Sequence, residues 1–198
     1  MPNLAKHRGE ITVHKAVQTP DRLGIRLTGR GGQGIILSGV IIAQAAMYDG
    51  RFVVHTQSYG PEARLGASKS EVMISRWEIA FPEVVLADIL LCLSLDAYLK
   101  YGSQVASNSL SVIDDLIGIT APAPGQVILP LRRTARDLGN ELSANIVGLG
   151  ALVAITELVE VHHVQQAIKE RVKPEFSEVN LKAFTRGLEL GEQWHASA

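Results

Sequence analysis

The amino-acid sequence predicts an α/β fold: a doubly wound, mainly parallel sheet with helices on both faces and a helix-rich C-terminal part. Strand-like and helix-like segments alternate from residue 24 onward, which is the order that builds parallel sheets. The apolar run at 89–93 has no polar alternation, as expected of a strand that is covered on both faces. A glycine-rich turn follows the first strand, at the edge where such folds bind ligands.

Each element follows from its apolar pattern and from the residues that interrupt it. The first strand is apolar and ends in glycines, and the segment after these glycines has the pattern of a helix. Pro122 and Pro124 mark an exposed turn before the last strand. Leu149, Leu152 and Val153 have the spacing of a buried helix. We expect strands at 24–28, 52–57, 70–75, 88–93, 111–114 and 127–131, and helices at 35–48, 96–101, 134–142, 144–159, 164–171 and 180–194.

Length and composition set the expected domain organisation. With 198 residues and 46% hydrophobic content, the chain suits one globular domain, which we expect at 23–198. The segment 1–22 is polar and carries the basic residues Lys6, Arg8, Lys15 and Arg22. Its composition leaves two interpretations open, an arm that docks on a partner and a frayed terminus.

Composition also argues against several classes of protein. A net charge of -1 and a pI near 6.6 argue against a general nucleic-acid binder. The single cysteine, Cys92, cannot hold an iron–sulfur cluster or close an internal disulfide, and its apolar neighbours predict a buried thiol. No stretch reaches the ~20 apolar residues of a membrane helix, and the first residues lack the apolar segment of a signal peptide. We therefore expect a cytoplasmic protein without a membrane span.

The run after the first strand is the leading candidate for a binding site. It consists of Gly29, Arg30, Gly31, Gly32, Gln33 and Gly34. Glycines permit positive φ angles and let a ligand approach the backbone closely. The unpaired amides of the next helix and the positive end of its dipole face the same spot. The expected ligand is an anionic group such as a phosphate, held by the amides and by the side chain of Gln33.

Three other interpretations of this run stay open. Its G-x-G-x-x-G spacing fits a dinucleotide fingerprint, but the acid expected about 20 positions further on is missing. The next strand ends in His55 and Gln57, and Asp49 precedes that strand. A P-loop would need a Lys-Ser or Lys-Thr pair after the last glycine, and none is present. The third interpretation is a tight turn that binds nothing.

A second polar loop follows the second strand and is expected at the same edge of the sheet. Its candidate binding residues are Ser58, Tyr59, Gly60, Pro61, Glu62 and Arg64. Arg64, or else Arg30 or Lys69, could neutralise phosphate charge, and a guanidinium does so with two parallel donors. Arg64 could instead form a surface pair with Glu62.

Asn145 and two histidines complete the candidate polar residues. Asn145 follows Ser143 and Ala144 at a helix start, so its amide either binds the ligand or caps the helix. His162 and His163 are adjacent and cannot share a helix face, so we expect no zinc site there.

Four short motifs lie in a fixed order along the chain: GRGGQG at 29–34, SYGPEAR at 58–64, ANIVGLGA at 144–151 and NLKAFTRG at 180–187. In this order they resemble the gamma subunits of 2-oxoacid:ferredoxin (acceptor) oxidoreductases, most closely the 2-oxoglutarate type. The resemblance extends over residues 24–191. The chain departs from the family pattern at Leu65, where the motif around Arg64 is usually followed by a glycine.

The resemblance implies a multi-subunit enzyme that decarboxylates a 2-oxoacid oxidatively to an acyl-CoA and passes the electrons to ferredoxin or a related acceptor. It implies alpha and beta subunits that bind thiamine diphosphate with magnesium, and an iron–sulfur subunit. This chain by itself would bind none of these cofactors and would supply no catalytic residue. Its two loops and Asn145 would contribute to binding coenzyme A as a substrate.

The sequence leaves the substrate and two further functions open. The 2-oxoacid could be 2-oxoglutarate, a branched or aromatic 2-oxoacid, or an arylglyoxylate. The chain could also be a non-catalytic scaffold subunit whose glycine loop binds nothing. A stand-alone nucleotide-dependent oxidoreductase is the third possibility, and the missing strand-end acid argues against it.

Overall fold

The computed structural model describes residues 21–58 and 66–197, so most of the predicted arm at 1–22 lies outside the described residues. The strands are β1 (Arg22–Arg30), β2 (Phe52–Ser58), β3 (Ala67–Ser75), β4 (Ala87–Cys92), β5 (Val105–Asp114) and β6 (Gln126–Leu129). The helices are α1 (Ile35–Tyr48), α2 (Leu95–Tyr101), α3 (Leu131–Asp137), α4 (Ala144–Thr156), α5 (Val161–Arg171) and α6 (Pro174–Ser197), with 3₁₀ turns at Asp115–Ile117 and Glu141–Ser143. No helix in this part of the chain has both the length and the hydropathy that a bilayer crossing requires.

The six strands form one sheet in the order β2-β3-β1-β4-β5-β6. β3 runs antiparallel to both of its neighbours, β1 and β2, whereas β1, β4, β5 and β6 pair in parallel. β2 therefore shares the direction of β1, and five strands point the same way. The predicted mainly parallel sheet is confirmed, with one reversed strand inserted between β1 and β2.

The two faces of the sheet carry different helices. Leu91 of β4 belongs to the main core, which also contains α1 and α4. Its neighbour Leu90 packs in a second cluster with Ala97 and Tyr101 of α2. Since successive strand residues point to opposite faces, α1 and α2 lie on opposite sides of the sheet. Helices on both faces, as the sequence predicts, are confirmed.

The α2 face also holds a buried ion pair. Arg26 of β1 is only 1% exposed, and its Nε donates to Glu71 Oε1 of β3 at 2.7 Å. Its Nη1 donates to the carbonyl of Gln104 at 2.8 Å, and Lys69 Nζ lies 2.8 Å from Glu71 Oε2. A buried guanidinium needs such partners, because an unpaired charge in the interior is costly. The Arg26–Glu71–Lys69 group therefore ties β1 and β3 together.

The α4 and α6 helices cross with their backbones in contact. A Cβ added to Gly187 would lie 2.1 Å from the carbonyl oxygen of Val147, and one added to Gly150 would lie 2.2 Å from that of Phe184. Only glycine fits at either position. The glycines of the motifs at 144–151 and 180–187 thus permit helix packing, and α4 is buried along almost its whole length.

The predicted helix at 134–142 is wrong in its bounds. β6 ends at Leu129, and α3 begins immediately after Pro130 and ends at Asp137. The early start is stabilised by Asp114, whose Oδ2 accepts the Arg132 amide at 2.8 Å. Gly139, at a φ of 81°, breaks the segment before the 3₁₀ turn. Other elements also differ from their predicted bounds, and the largest differences are at β5, which begins at Val105, and at α6, which begins at Pro174, both well before the predicted residues.

Candidate functional site

The carboxyl ends of β1 and β4 form the switch point of the sheet. These strands are parallel neighbours, with Thr28 beside Cys92. The chain leaves β1 for α1 on one face and leaves β4 for α2 on the other. In open α/β sheets a crevice forms where successive connections diverge in this way, and ligands bind in it. The glycine loop, residues 29–34, lies at this crevice.

The outer part of the glycine loop is open. Gly32 has a φ of 90°, and a Cβ placed there would meet no described heavy atom within 4 Å. Gly34 has a φ of 71° and is the N-cap of α1, which has no side-chain cap and no acidic residue in its first turn. The first amides of α1 and its positive dipole end therefore have no carboxylate among the first-turn residues to neutralise them.

The inner part of the loop is tightly packed. A Cβ at Gly29 would lie 2.7 Å from Gln33 Oε1 and 2.9 Å from Ile35 Cδ1. A Cβ at Gly34 would lie 2.5 Å from Asn145 Nδ2. These two glycines are needed for packing, whereas Gly32 is needed for its positive φ and leaves space above it. The Gly31 amide donates to the carbonyl of Gly66 at 3.4 Å, next to the second loop.

The side chain of Gln33 is turned toward the protein, contrary to the expectation that it donates to a ligand. Its Oε1 accepts the Arg30 amide at 2.6 Å, and its Nε2 lies 3.4 Å from the carbonyl of Leu93. The Gln33 amide donates to the Arg30 carbonyl at 3.1 Å. Gln33 therefore holds the turn closed through its bonds to Arg30, and its side chain connects the turn to the residue after β4.

Asn145 connects the start of α4 to the start of α1. It is 2% exposed, and its Nδ2 donates to the carbonyl of Gly34 at 2.9 Å and to Ser38 Oγ at 3.0 Å. It does not cap its own helix, since its amide nitrogen holds the start of α1 instead, and its binding of a ligand stays a prediction. Because α4 also lacks a side-chain cap and an acidic first turn, two positive helix ends converge at the glycine loop.

Two cations near the loop have different surroundings. Arg30 is 52% exposed, and its Nη2 lies 2.7 Å from Oδ2 of Asp96, in the first turn of α2. Lys69 is directed at Glu71 and lies 6.0 Å from the ring centre of Tyr101 on the α2 face. Arg30 is thus available at the crevice, and Lys69 is engaged elsewhere. Asp96 was missed in the sequence, where it reads only as a favourable charge at a helix start.

The second loop begins and ends beside the glycine loop. Ser58 pairs with Lys69 across β2 and β3, and Ala67 pairs with Arg30 across β3 and β1. The edge predicted for this loop is therefore confirmed at its two ends. The side chain of Ser58 and the candidates Tyr59, Gly60, Pro61, Glu62 and Arg64, with Leu65, lie outside the described residues.

Asp49 and Cys92 have structural roles: Asp49 bonds to neighbouring elements and Cys92 packs in the interior. Asp49 lies at the other end of α1, where its carboxylate contacts His163 Nδ1 and accepts the Glu160 amide at 3.1 Å. It is remote from the glycine loop, which agrees with the absence of a ribose-binding acid there. Cys92 is fully buried, as predicted, and burial raises the pKa of its thiol.

The comparisons with known proteins identify the family of the chain. The model of the pyruvate ferredoxin/flavodoxin oxidoreductase family matches residues 24–190. The 2-oxoglutarate synthase subunit KorC of Methanocaldococcus jannaschii is 44% identical over 178 residues, which cover 87% of this chain and 95% of the relative.

Two solved structures are similar in fold as well as in sequence. The gamma subunit of a keto/oxoacid ferredoxin oxidoreductase from Geobacter sulfurreducens has a TM-score of 0.77 and 41% identity, covering 87% of this chain and 97% of that one. The 2-oxoglutarate:ferredoxin oxidoreductase of Magnetococcus marinus was solved with 2-oxoglutarate, coenzyme A and succinyl-CoA. It has a TM-score of 0.78 and 25% identity, and the match covers 87% of this chain and 31% of that chain. The chain belongs to the pyruvate ferredoxin/flavodoxin oxidoreductase family, in which it corresponds to the gamma subunits of 2-oxoacid:ferredoxin oxidoreductases.

Proposed function

We propose that the chain is the gamma subunit of a CoA-acylating 2-oxoglutarate:acceptor oxidoreductase and that its glycine loop binds a phosphate of coenzyme A. The complex oxidatively decarboxylates the 2-oxoacid, forms the acyl-CoA and delivers electrons to ferredoxin or a related acceptor. Relatives named as 2-oxoglutarate synthase subunits support the substrate, and the related structure solved with coenzyme A and succinyl-CoA supports the ligand.

The observation that carries the proposal is the open backbone at Gly32, just before Gly34, the N-cap of α1, which has no side-chain cap. Gly32 has a positive φ, and no described heavy atom lies within 4 Å of its Cβ position, so an anion can approach the backbone there. Neither α1 nor α4 has an acid in its first turn, so the helix dipoles favour a negative ligand. Coenzyme A carries phosphates, and its thiol end can extend away from this loop toward partner subunits.

The side chains of the site neutralise and orient the phosphate. Arg30 is half exposed beside the loop and supplies a guanidinium that can bind phosphate oxygens with two donors. In the proposal Arg64 does the same from the second loop, and Ser58, Tyr59, Gly60, Pro61 and Glu62 of that loop are further candidate binding residues. Asn145 and Gln33 hold the backbone of the glycine loop in place.

The redox cofactors belong to other subunits in this proposal. The chain has one cysteine, and an iron–sulfur cluster is held by several thiolates, so its residues do not fit a cluster. Alpha and beta subunits carry thiamine diphosphate with magnesium, and an iron–sulfur subunit carries the clusters. The gamma chain contributes binding of the second substrate, coenzyme A.

Gly32→Val in the assembled complex tests the proposal, with Gly50→Val as its matched control. Both glycines have positive φ, 90° and 75°, and open space around the Cβ position, but Gly50 lies at the far end of α1. Both substitutions impose similar backbone strain, whereas only Gly32→Val obstructs the phosphate. We expect Gly32→Val to raise the KM for coenzyme A about ten- to hundredfold, the equivalent of losing ~1.5–3 kcal/mol of charged hydrogen bonding. Equal kinetic effects of the two variants would favour a turn that binds nothing.

A further inference from the structure

An ion pair spans the crevice between the two loops that leave the sheet at its switch point. Arg30 follows directly on the end of β1, and Asp96 lies in the first turn of α2, which begins after β4. Their contact, from Nη2 to Oδ2, measures 2.7 Å, although 66 residues separate them. The two side chains are 52% and 49% exposed, so the pair lies at the open mouth of the crevice.

We propose that Asp96 is a positioning residue that holds the Arg30 guanidinium at the mouth of the crevice, ready for the coenzyme A phosphate. This inference rests on the function proposed above. The carboxylate contacts one terminal nitrogen, Nη2, and a guanidinium has further N–H donors in the same plane. Arg30 can therefore keep Asp96 and bind a phosphate with its other donors at the same time.

The surroundings of both residues fit this role. The Arg30 amide donates to Gln33 Oε1 at 2.6 Å, and from this anchored backbone the long side chain reaches Asp96. Asp96 is held in the first turn of α2, where the helix dipole favours a carboxylate and Ser94 already caps the helix. The ion pair with Asp96 thus restricts the long Arg30 side chain to one orientation.

A purely structural role explains the pair poorly. Exposed ion pairs contribute little to stability, since water screens them and two flexible side chains must be ordered. α2 also has its own cap in Ser94, whose Oγ accepts the Ala97 amide at 3.3 Å. Losing Asp96 should therefore affect the affinity for the anion more than the folding of the chain.

The test is a double-mutant cycle on Arg30 and Asp96 in the complex assembled with its thiamine diphosphate and iron–sulfur subunits. Steady-state kinetics with coenzyme A as the varied substrate are measured for Asp96→Ala, Asp96→Glu, Arg30→Ala and the double variant. We expect Asp96→Ala to raise the KM for coenzyme A about two- to fivefold with kcat and the KM for 2-oxoglutarate unchanged. Asp96→Glu, which keeps the carboxylate, should restore part of the loss, and Asp96→Ala should add nothing once Arg30 is alanine.

Glu189→Ala is the matched control, because Glu189 forms a similarly exposed pair with Arg186 on α6. Its kinetics should equal those of the unmodified complex. An unchanged or lowered KM in Asp96→Ala overturns the inference, and so does the same rise in the Arg30→Ala background. If Gly32→Val still raises the KM for coenzyme A, only the role of Asp96 fails. If neither variant changes it, the proposed coenzyme A site fails as well.

Discussion

Individual residues of the glycine loop have separate tasks. Gly29 and Gly34 allow close packing against Ile35 and Asn145, and Gly32 provides the positive φ and the open approach. Gln33, which looked like a ligand-binding side chain in the sequence, instead closes the turn. In the proposed site the ligand surface therefore consists of backbone amides, with Arg30 as the described cation beside them.

Asn145→Ala should weaken the fold and the site together. Its amide donates two buried hydrogen bonds, to the Gly34 carbonyl and to Ser38 Oγ. Removing them should lower the free energy of unfolding by about 1–3 kcal/mol, because Ser38 Oγ is left buried with one partner fewer. Urea unfolding of the purified chain measures this, with Asn108→Ala as a control at an exposed position of β5. The coenzyme A KM of the assembled complex should rise as well. An unchanged unfolding midpoint would show that these bonds contribute little.

Arg64→Ala tests the second loop. If Arg64 binds phosphate, the variant should raise the KM for coenzyme A or lower turnover about ten- to hundredfold, from a charged hydrogen bond of ~1.5–3 kcal/mol. Arg64→Lys should restore only part of this, because an ammonium keeps the charge but lacks the two parallel donors. A surface pair with Glu62 would be worth about 0–1 kcal/mol. Unchanged constants in an intact Arg64→Ala complex, checked by size-exclusion chromatography, would remove the residue from the site.

The elements are positioned by close backbone contacts. α4 lies between the sheet and α6, with Gly148 against Leu91 of β4 and Gly150 against Phe184 of α6. This central position holds the start of α4 against the start of α1, where Asn145 contacts Gly34. The packing of α4 therefore determines the geometry of the glycine loop.

Gly187→Ala should destabilise the chain through the α4–α6 crossing. The new Cβ would lie 2.1 Å from the Val147 carbonyl oxygen and 2.9 Å from the Cα of Gly150, so the helices must separate. Overpacking of this kind costs about 1–3 kcal/mol. Thermal unfolding compares it with Lys182→Ala, an exposed change on the same helix. Equal melting temperatures for the two variants would contradict the close crossing.

The stability of the chain should depend on pH through His55 of β2, which contacts Ser70 of β3 and Gly39 of α1. Its Nε2 lies 2.7 Å from Ser70 Oγ, and burial lowers its pKa from the ordinary value of 6.5. The unfolded chain therefore binds a proton near pH 6.5 while the folded chain does not until a lower pH. Stability contributed by neutral His55 is present above 6.5 and is lost as the pH falls below it.

This pH dependence is measured by urea unfolding between pH 7.5 and 5.5. The loss of stability over that range should be smaller in His55→Gln than in the unmodified chain. His162→Gln removes an exposed histidine and serves as the control. A slope that is the same in His55→Gln and the unmodified chain would show that His55 does not contribute.

In the whole molecule, the glycine loop, the two ends of the second loop and the starts of α1 and α4 lie at one edge of the sheet. The parallel direction of β1 and β4 brings the glycine loop and α2 together, and the reversed β3 returns the second loop to the same edge. In the proposed function, partner subunits supply the iron–sulfur clusters that one cysteine cannot hold.

The isolated chain should be colourless and inactive. With one cysteine it should not absorb through an iron–sulfur cluster, and because thiamine diphosphate is assigned to partner subunits in the proposal, it should not turn over a 2-oxoacid. Absorption spectra, iron analysis and activity assays of the purified chain check this, and the assembled complex is the positive control. Turnover without partner subunits would contradict the division of roles proposed here.

Local sequence patterns were enough to predict the order of the elements, the position of the glycine loop and the burial of Cys92. Hydrophobic spacing and chain-breaking residues act over a few neighbouring positions, so they can be recognised without a structure. They failed at α3, because its start depends on Asp114 contacting the Arg132 amide from another strand.

The tertiary structure alone decided which side chains meet at the site. Asn145 contacts Gly34 over 111 residues, and Arg30 contacts Asp96 over 66. β3 also lies between β1 and β2 in the sheet, and local sequence patterns do not determine which strands pair. Such contacts depend on how whole elements pack, so the same residues in the sequence carry no signal of their partners.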